Sequence, residues 1–249
     1  MSDYDRGVMR PGVARPADMA IDAGLRTFML GVYNKVAAGL VLSAGLAYVT
    51  GNVPAVRDLL WRDTGFGRRG LTLLGMAVTF APLAILIFQG FARRQTARGA
   101  NFTYWAIVSL IGASLGSLFM FYSDISIFQT FLVTAAAFGG LSLVGYTTKR
   151  DLSGMASFLI MGVWGLVFAS LASFFLHSAM LVFIINLLGV GIFAGLIAAD
   201  TQRLKLAYYQ LSGDSQGMGL ATSYGALSLY LDFVNLFRFL LFFMGGNRR

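Results

Sequence analysis

Long apolar segments with few charged residues are the feature that most restricts how this chain can fold. A helix of about 20 residues rises about 30 Å, which matches the hydrocarbon core of a bilayer. Strands of a membrane barrel would be about 10 residues long with strict alternation, which these segments lack. We therefore predict an all-α polytopic membrane protein with a seven-helix transmembrane bundle. Its seven segments are 27–50, 70–90, 103–122, 125–147, 154–176, 179–200 and 220–244.

Composition supports the bilayer as the solvent and argues against a nucleic-acid partner. The chain is 57% hydrophobic and 12% charged, whereas soluble domains are nearer to about half apolar and about a quarter charged. The net charge is +8, but the basic residues form short clusters between the apolar segments. Membrane proteins place such clusters on the cytoplasmic side. The absence of Cys excludes disulfides and thiolate metal sites.

The chain divides into a polar N-terminal tail, residues 1–26, and a transmembrane domain, residues 27–249. Lys and Arg are more frequent in this tail and in the loops after the second, fourth and sixth segments than on the other side. This bias predicts an integral membrane protein with a cytoplasmic N-terminus, and seven spans would then place the C-terminus outside. The alternative is six spans and a re-entrant final segment, with both termini inside.

Two loops are long enough to hold surface helices, namely 51–69 and 201–219. The turns at 123–124 and 177–178 are very short, so the helices on either side of each turn are expected to be antiparallel neighbours. Small residues recur at helical spacing and predict close helix packing in lipid. These glycines are Gly112 and Gly116, Gly191 and Gly195, and Gly139 and Gly140.

Asp232 is the clearest candidate for a functional residue, because ionisable groups at membrane depth are costly and usually functional. It lies well inside the final segment, with Ser228 four residues before it and Asn235 three residues after it. The three side chains are expected to share one helix face, so this polar stripe would face the bundle interior or a wet cavity. The alternative is a polar hydrogen bond in the core.

Asp200 ends the sixth segment, and its simplest interpretation is a charge at the membrane surface. If that helix continues through the next ten residues, Asp200 lies deeper and can meet Asp232 at similar depth. Two close carboxylates in a low-dielectric site titrate as a unit, and a proton or a divalent cation can lie between them. Calcium prefers 6–8 oxygen ligands, so this pair predicts weak, transient calcium binding of the kind that suits permeation.

Other chemistries find little support in the sequence. Lys35 and Arg238 lie near segment ends, where long side chains extend to the interface. Neither Asp200 nor Asp232 stands in the G-x-G-D pattern of intramembrane proteases, and the chain has no P-loop or metalloprotease motif. We therefore predict that the protein is not an enzyme and has no cofactor, calcium being a transported or weakly bound ion.

Three stretches are similar to signatures of one family. The segment YTTKRDLSGM, from Tyr146 to Met155, resembles the strongest signature of the Bax inhibitor-1 family. The segment YGALSLYLDFVNLFRFLL, from Tyr224 to Leu241, resembles the final helix of that family, and FMLGVYNKVAAGLVLSAGLAYVTG resembles its first span. The resemblance covers about residues 25–245.

The resemblance implies more than the residues alone do. Family members have seven helices, the last surrounded by the other six, and bacterial members sit in the cell inner membrane. Some are associated with a pH-sensitive calcium leak controlled by an Asp pair, which matches Asp200 and Asp232 here. Some carry an Arg in the second helix that pairs with this site, whereas the second segment here, LTLLGMAVTFAPLAILIFQ, has none.

Two functional hypotheses follow. The first is a calcium-permeable leak channel gated by protonation of the Asp200–Asp232 pair, with calcium ions and protons as its partners. The second is a non-transporting regulator that binds a membrane-bound AAA protease, as other bacterial members resemble. The second hypothesis would use the basic N-terminal tail, which contains Arg6, Arg10 and Arg15, as the contact.

Overall fold

The computed structural model describes residues 16–63, 69–91, 96–211 and 213–246, and this part of the chain is almost entirely helical. Residues 1–15 of the predicted tail, including Arg6, Arg10 and Arg15, lie outside the described residues. The elements are α1 (Pro16–Asn52), α2 (Pro54–Leu60), β1 (Trp61–Asp63), β2 (Arg69–Leu71), α3 (Leu73–Phe91), α4 (Ala97–Ser114), a 3-10 turn (Leu115–Ser117), α5 (Leu118–Phe121), α6 (Asp124–Thr147), α7 (Ser153–Leu176), α8 (Ala179–Gln210) and α9 (Ser215–Met244).

Six helical segments are long and apolar enough to cross a bilayer. They are Ala23–Asn52, Ala97–Phe121, Asp124–Thr147, Ser153–Leu176, Ala179–Gln210 and Ser215–Met244. A shorter apolar helix, Leu73–Gln89, coincides with the predicted second segment and contains Pro82. The final helix is therefore long enough to span, and the second apolar segment is the short one.

The two predicted long loops contain more regular structure than expected. Loop 51–69 contains helix α2 and strand β1, which pairs antiparallel with β2 through Trp61 opposite Leu71. In loop 201–219, helix α8 continues to Gln210 and α9 begins at Ser215. The helix that carries Asp200 therefore continues through the next ten residues, to Gln210. Asp200 lies about 15 Å from that helix end.

A tight turn joins α8 to α9 and makes them antiparallel neighbours. Gly213 has a φ of 96°, a left-handed conformation that glycine adopts without a Cβ penalty. Asp214 then caps α9, because its Oδ1 accepts hydrogen bonds of 3.0 Å from the backbone amides of Gln216 and Gly217. This turn returns α9 along α8, which brings the middle of α9 beside the second half of α8.

The last helix is the most deeply buried of the candidate spans. Helix α9 packs against α1, α4, α6 and α8, while α3 packs on α4 and α7 packs on α8. Half of the most apolar window of α9 is buried, against at most 28% for each of the other five candidate spans. The fully buried residues Tyr230, Leu229 and Leu236 are all on α9, so this helix supplies much of the core.

Glycine spacing predicted some of the helix contacts and not others. A Cβ on Gly112 would lie 2.6 Å from the Cα of Ser43, and one on Gly116 would lie 2.9 Å from the backbone nitrogen of Gly51. These two glycines, one on α4 and one in the 3-10 turn that follows it, therefore form a close seam with α1, as expected. A Cβ at Gly139, Gly140 or Gly191 would meet open space, so the seam prediction is wrong for these three.

Lys35, near one end of the first apolar segment, has a partly buried side chain that contacts two other helices. Its Nζ donates hydrogen bonds to Asn101 Oδ1 at 2.6 Å and to Ser223 Oγ at 2.8 Å, and it lies 5.0 Å from the centre of the Tyr104 ring. Lys35 thus links α1 to α4 and α9 by hydrogen bonds and a cation–π contact.

Tyr230 makes a buried hydrogen bond whose removal should weaken the bundle. Its hydroxyl lies 2.7 Å from Ser43 Oγ, which also donates to the Val108 carbonyl at 3.0 Å. We expect Tyr230→Phe to lower stability by about 1 kcal/mol, or about 2–4 °C in Tm for a chain of this size. Thermal unfolding in detergent measures the change. An unchanged Tm would contradict a stabilising role for this contact.

Candidate functional site

Asp200 and Asp232 lie inside the bundle and next to one another. Asp200 is on α8 and Asp232 is on α9, and each is only 6% exposed. The two carboxyl groups face each other across the α8–α9 interface, close enough to interact electrostatically. The structure therefore brings together the two aspartates that the sequence singled out. Asp200 is buried among protein side chains and is not a solvated surface charge.

Two further side chains complete the cluster around Asp200. The hydroxyl of Ser228 on α9 donates a hydrogen bond to Asp200 Oδ2. Arg203, three residues after Asp200 on α8, places its guanidinium 3.3 Å from Asp200 Oδ1 and 3.4 Å from Ser228 Oγ. Ser228, expected beside Asp232, thus binds the other aspartate.

Asp232 is bonded less completely than Asp200. Its Oδ2 is buried and has no hydrogen-bond partner among the residues that the structure describes. A buried carboxylate oxygen without a donor is costly. Two ionised carboxylates cannot donate to one another, so a hydrogen bond between Asp200 and Asp232 requires a proton on one of them. Protonation of this carboxyl group would remove the charge from the unpartnered oxygen.

Asn235 does not join the cluster, although helix spacing predicted that it would. Its amide donates to the Leu231 carbonyl of its own helix at 2.9 Å. It lines a separate cavity of about 600 Å³ together with Arg238. The polar stripe on α9 is therefore divided between two environments, and this prediction needs correction.

Arg203 is the site residue that sequence reasoning missed. The predicted sixth segment, 179–200, ends before Arg203 and so places this residue in a loop. A basic residue three positions after an acidic one on a helix commonly pairs with it, and this spacing was the available signal. Its side chain is 63% exposed, so Arg203 joins the buried Asp200 carboxylate to the surface of the bundle.

The residues after Asp200 also fix the connection between α6 and α7. Gln202 accepts a 2.8 Å hydrogen bond from the Leu152 backbone amide and donates one of 2.7 Å to the Arg150 carbonyl. Lys205 donates to the Tyr146 carbonyl at 2.9 Å. The segment YTTKRDLSGM therefore contacts the same stretch of α8 that carries Asp200 and Arg203. Gln202 and Lys205 therefore make tertiary contacts from helix α8.

Comparison with known proteins gives a consistent result over nearly the whole chain. Residues 25–249 match the family model described as inhibitor of apoptosis-promoting Bax1. An uncharacterized protein of Caulobacter vibrioides is 59% identical over all 249 residues, which is 100% of both chains. An uncharacterized protein of Rickettsia prowazekii is 42% identical over 91% of this chain and 92% of its own.

A relative with a more informative name covers a similar share. The inner membrane protein YbhL of Escherichia coli (strain K12) is 39% identical over 227 residues, which is 91% of this chain and 94% of its own. The region that matches the family model, residues 25–249, includes α8 and α9 in full. With its several membrane-length apolar helices, the chain belongs to the Bax inhibitor-1 family of integral membrane proteins.

Proposed function

We propose that this protein is a pH-sensitive calcium-permeable leak channel in a bacterial inner membrane. Asp200 and Asp232 would be the residues that bind a proton or a calcium ion. The observation that carries the proposal is the buried Oδ2 of Asp232, which lies in a carboxyl pair and has no hydrogen-bond donor among the described residues. The inner-membrane location rests on the name of the Escherichia coli relative.

The charges in the cluster support a site that binds one proton or one cation. Two ionised carboxylates carry two negative charges, and Arg203 offers one positive charge, 3.3 Å from Asp200. One negative charge then remains inside a low-dielectric bundle, where it is expensive. A single proton shared by the pair neutralises it, and a bound cation can do the same. Protons and calcium would therefore compete for the pair.

The ligand set supports weak calcium binding. No group of three or more His, Cys, Asp or Glu residues with metal-site geometry occurs in the described part of the chain. The two aspartates and the Ser228 hydroxyl offer fewer oxygens than the 6–8 that calcium prefers. An ion would thus leave the pair easily, as conduction requires.

The proposal includes an arrangement of seven spans with a central C-terminal helix. Helix α3 contains 19 residues and is about 28 Å long, close to the hydrocarbon thickness of about 30 Å, so we assign it as the seventh span. The burial of α9 and its four helix neighbours support a central position. The distribution of Lys and Arg supports a cytoplasmic N-terminus.

Calcium flux into liposomes that contain the purified protein tests this function. We expect protein-dependent flux that decreases as the pH falls from about 8 to about 6, because protons displace calcium from the pair. Empty liposomes provide the background, and an ionophore added at the end confirms that the vesicles are sealed. Flux equal to that of empty liposomes at every pH would contradict the channel proposal.

Arg203→Gln should shift the pH dependence without abolishing flux. Loss of the guanidinium makes the pair more negative, which strengthens the binding of divalent calcium more than that of a single proton, so the midpoint of the flux should move to lower pH. The exposure of Arg203 screens this interaction, so we expect a shift of less than about one pH unit. Arg57→Gln is a matched control, because Arg57 pairs with Asp58 in α2. Equal profiles for both variants would contradict a role for Arg203.

A second candidate function is a non-transporting regulator that binds a membrane-bound AAA protease. The basic residues before the first helix favour it, since they offer a contact outside the bilayer. Deletion of residues 2–20 should then abolish co-purification with the protease, while liposomes with the full chain show no calcium flux. Unchanged co-purification after the deletion would contradict a contact through the tail.

A further inference from the structure

A groove along the outside of the bundle lies between α1 and α6. It has a volume of about 610 Å³ and a largely hydrophobic lining that includes Leu30, Leu40, Phe138 and Leu143. Both helices are candidate membrane spans. Leu30 is 49% exposed and Leu143 is 62% exposed, so the groove opens toward the lipid.

One end of this groove is positively charged. Arg26, near the start of the described side chains of α1, lines the groove. Lys205 of α8 lies at the same end, where its Nζ donates to the carbonyl of the groove residue Tyr146 and sits 5.4 Å from the centre of that ring. Among the described residues, the lining contains no acidic side chain. The groove thus combines an apolar body with a cationic end.

The size of the groove decides between two kinds of membrane occupant. A transmembrane helix is about 10 Å across and about 30 Å long, which corresponds to a volume above about 2,000 Å³. This exceeds the volume of the groove several-fold, so a partner helix or a second copy of the bundle does not fit inside it. A single hydrocarbon chain is narrow enough. Basic pockets between transmembrane helices bind anionic lipid headgroups.

We propose that this groove binds one anionic glycerophospholipid. An acyl chain lies along α1 and α6, and the phosphate group contacts Arg26 and Lys205. This proposal is independent of calcium conduction, because it concerns a different surface and requires no flux.

Gly139 gives a direct way to block the groove. It lies in the lining, and a Cβ added there would meet no atom within 4 Å, so the side chain of Gly139→Leu would begin in the open space of the groove. Gly165→Leu is the matched control, since Gly165 on α7 is also open and lies outside the groove. Arg26→Gln with Lys205→Gln removes the cations and leaves the apolar walls intact. Lys149→Gln removes an exposed cation that does not line the groove.

Native mass spectrometry of the purified protein with equal amounts of dioleoyl phosphatidylglycerol and dioleoyl phosphatidylcholine tests the proposal. We expect the unmodified protein to retain one phosphatidylglycerol. The ratio of retained phosphatidylglycerol to retained phosphatidylcholine should decrease about fivefold for each of the two cations removed. Gly139→Leu should lose the retained lipid, whereas Gly165→Leu and Lys149→Gln should keep it. Equal retention of both lipids by the unmodified chain would overturn the proposal. So would an unchanged preference in the Arg26 and Lys205 double variant.

Discussion

Asp232→Asn is expected to remove the pH dependence of calcium flux and to lower flux at about pH 8 by at least tenfold. The substitution keeps the shape of the side chain and removes its charge and its titration. Tenfold corresponds to about 1.4 kcal/mol. This is below the roughly 4 kcal/mol of a unit-charge interaction at 4 Å with an effective dielectric constant of 20. The estimate is therefore conservative for a site that is 6% exposed.

Asp151→Asn is the matched control for this experiment. Asp151 lies in the connection between α6 and α7, and its Oδ1 accepts a 2.9 Å hydrogen bond from the backbone amide of Ser153. Hydrogen bonds from Ser153 hold the pKa of Asp151 below its ordinary value, so it stays ionised throughout the pH range of the assay. Asp151→Asn should therefore leave the pH dependence of calcium flux unchanged. If Asp232→Asn and Asp151→Asn give the same profile as the unmodified protein, Asp232 is not the titrating group.

Gly145→Leu is expected to destabilise the bundle by about 3 kcal/mol or more. Gly145 is buried on α6, and a Cβ there would overlap the backbone carbonyl of Ala198 on α8. A backbone atom cannot rotate away as the end of a side chain can, so α6 and α8 must separate. Ala198 precedes Asp200 by two residues, and the separation should also displace the aspartate pair.

The same helix offers a control for this prediction. Gly140 lies on α6, and a Cβ there would meet open space, so Gly140→Leu should have nearly the stability of the unmodified protein. The yield of folded protein and the Tm in detergent measure both variants. A Tm for Gly145→Leu equal to that of Gly140→Leu would show that the backbones of α6 and α8 do not pack as closely as described.

The helices and the aspartate pair could be predicted from sequence because they depend on local patterns. Apolar segments of membrane length specify helices, and a buried Asp is costly enough that it rarely occurs without a partner. The α6 and α7 boundaries, Asp124–Thr147 and Ser153–Leu176, differ by one residue at most from the predicted starts and ends. Short turns precede α6 and follow α7, and the side chain of Ser123 caps the start of α6 by accepting a hydrogen bond from the Ser126 amide.

Features that depend on helix neighbours could not be predicted in the same way. The three-residue spacing from Asp232 predicts the side of α9 on which Asn235 lies. It does not predict which helix packs against Asn235, because packed helices cross at an angle. The glycines show the same limit: Gly112 meets α1 closely, whereas Gly139 and Gly191 meet open space. Arg203 was missed for a different reason, since its pairing with Asp200 exists only if α8 continues past the apolar segment.

Infrared difference spectroscopy of the purified protein tests most directly whether Asp200 and Asp232 share one proton. On acidification from about pH 8 to about pH 6 we expect the absorption of one protonated carboxyl group to appear, because a single proton neutralises the pair. Added calcium should reduce this absorption, and Asp200→Asn and Asp232→Asn should each alter it, whereas Asp151→Asn should not. An absorption that is absent from the unmodified protein, or unchanged in both variants of the pair, would contradict a shared proton at this site.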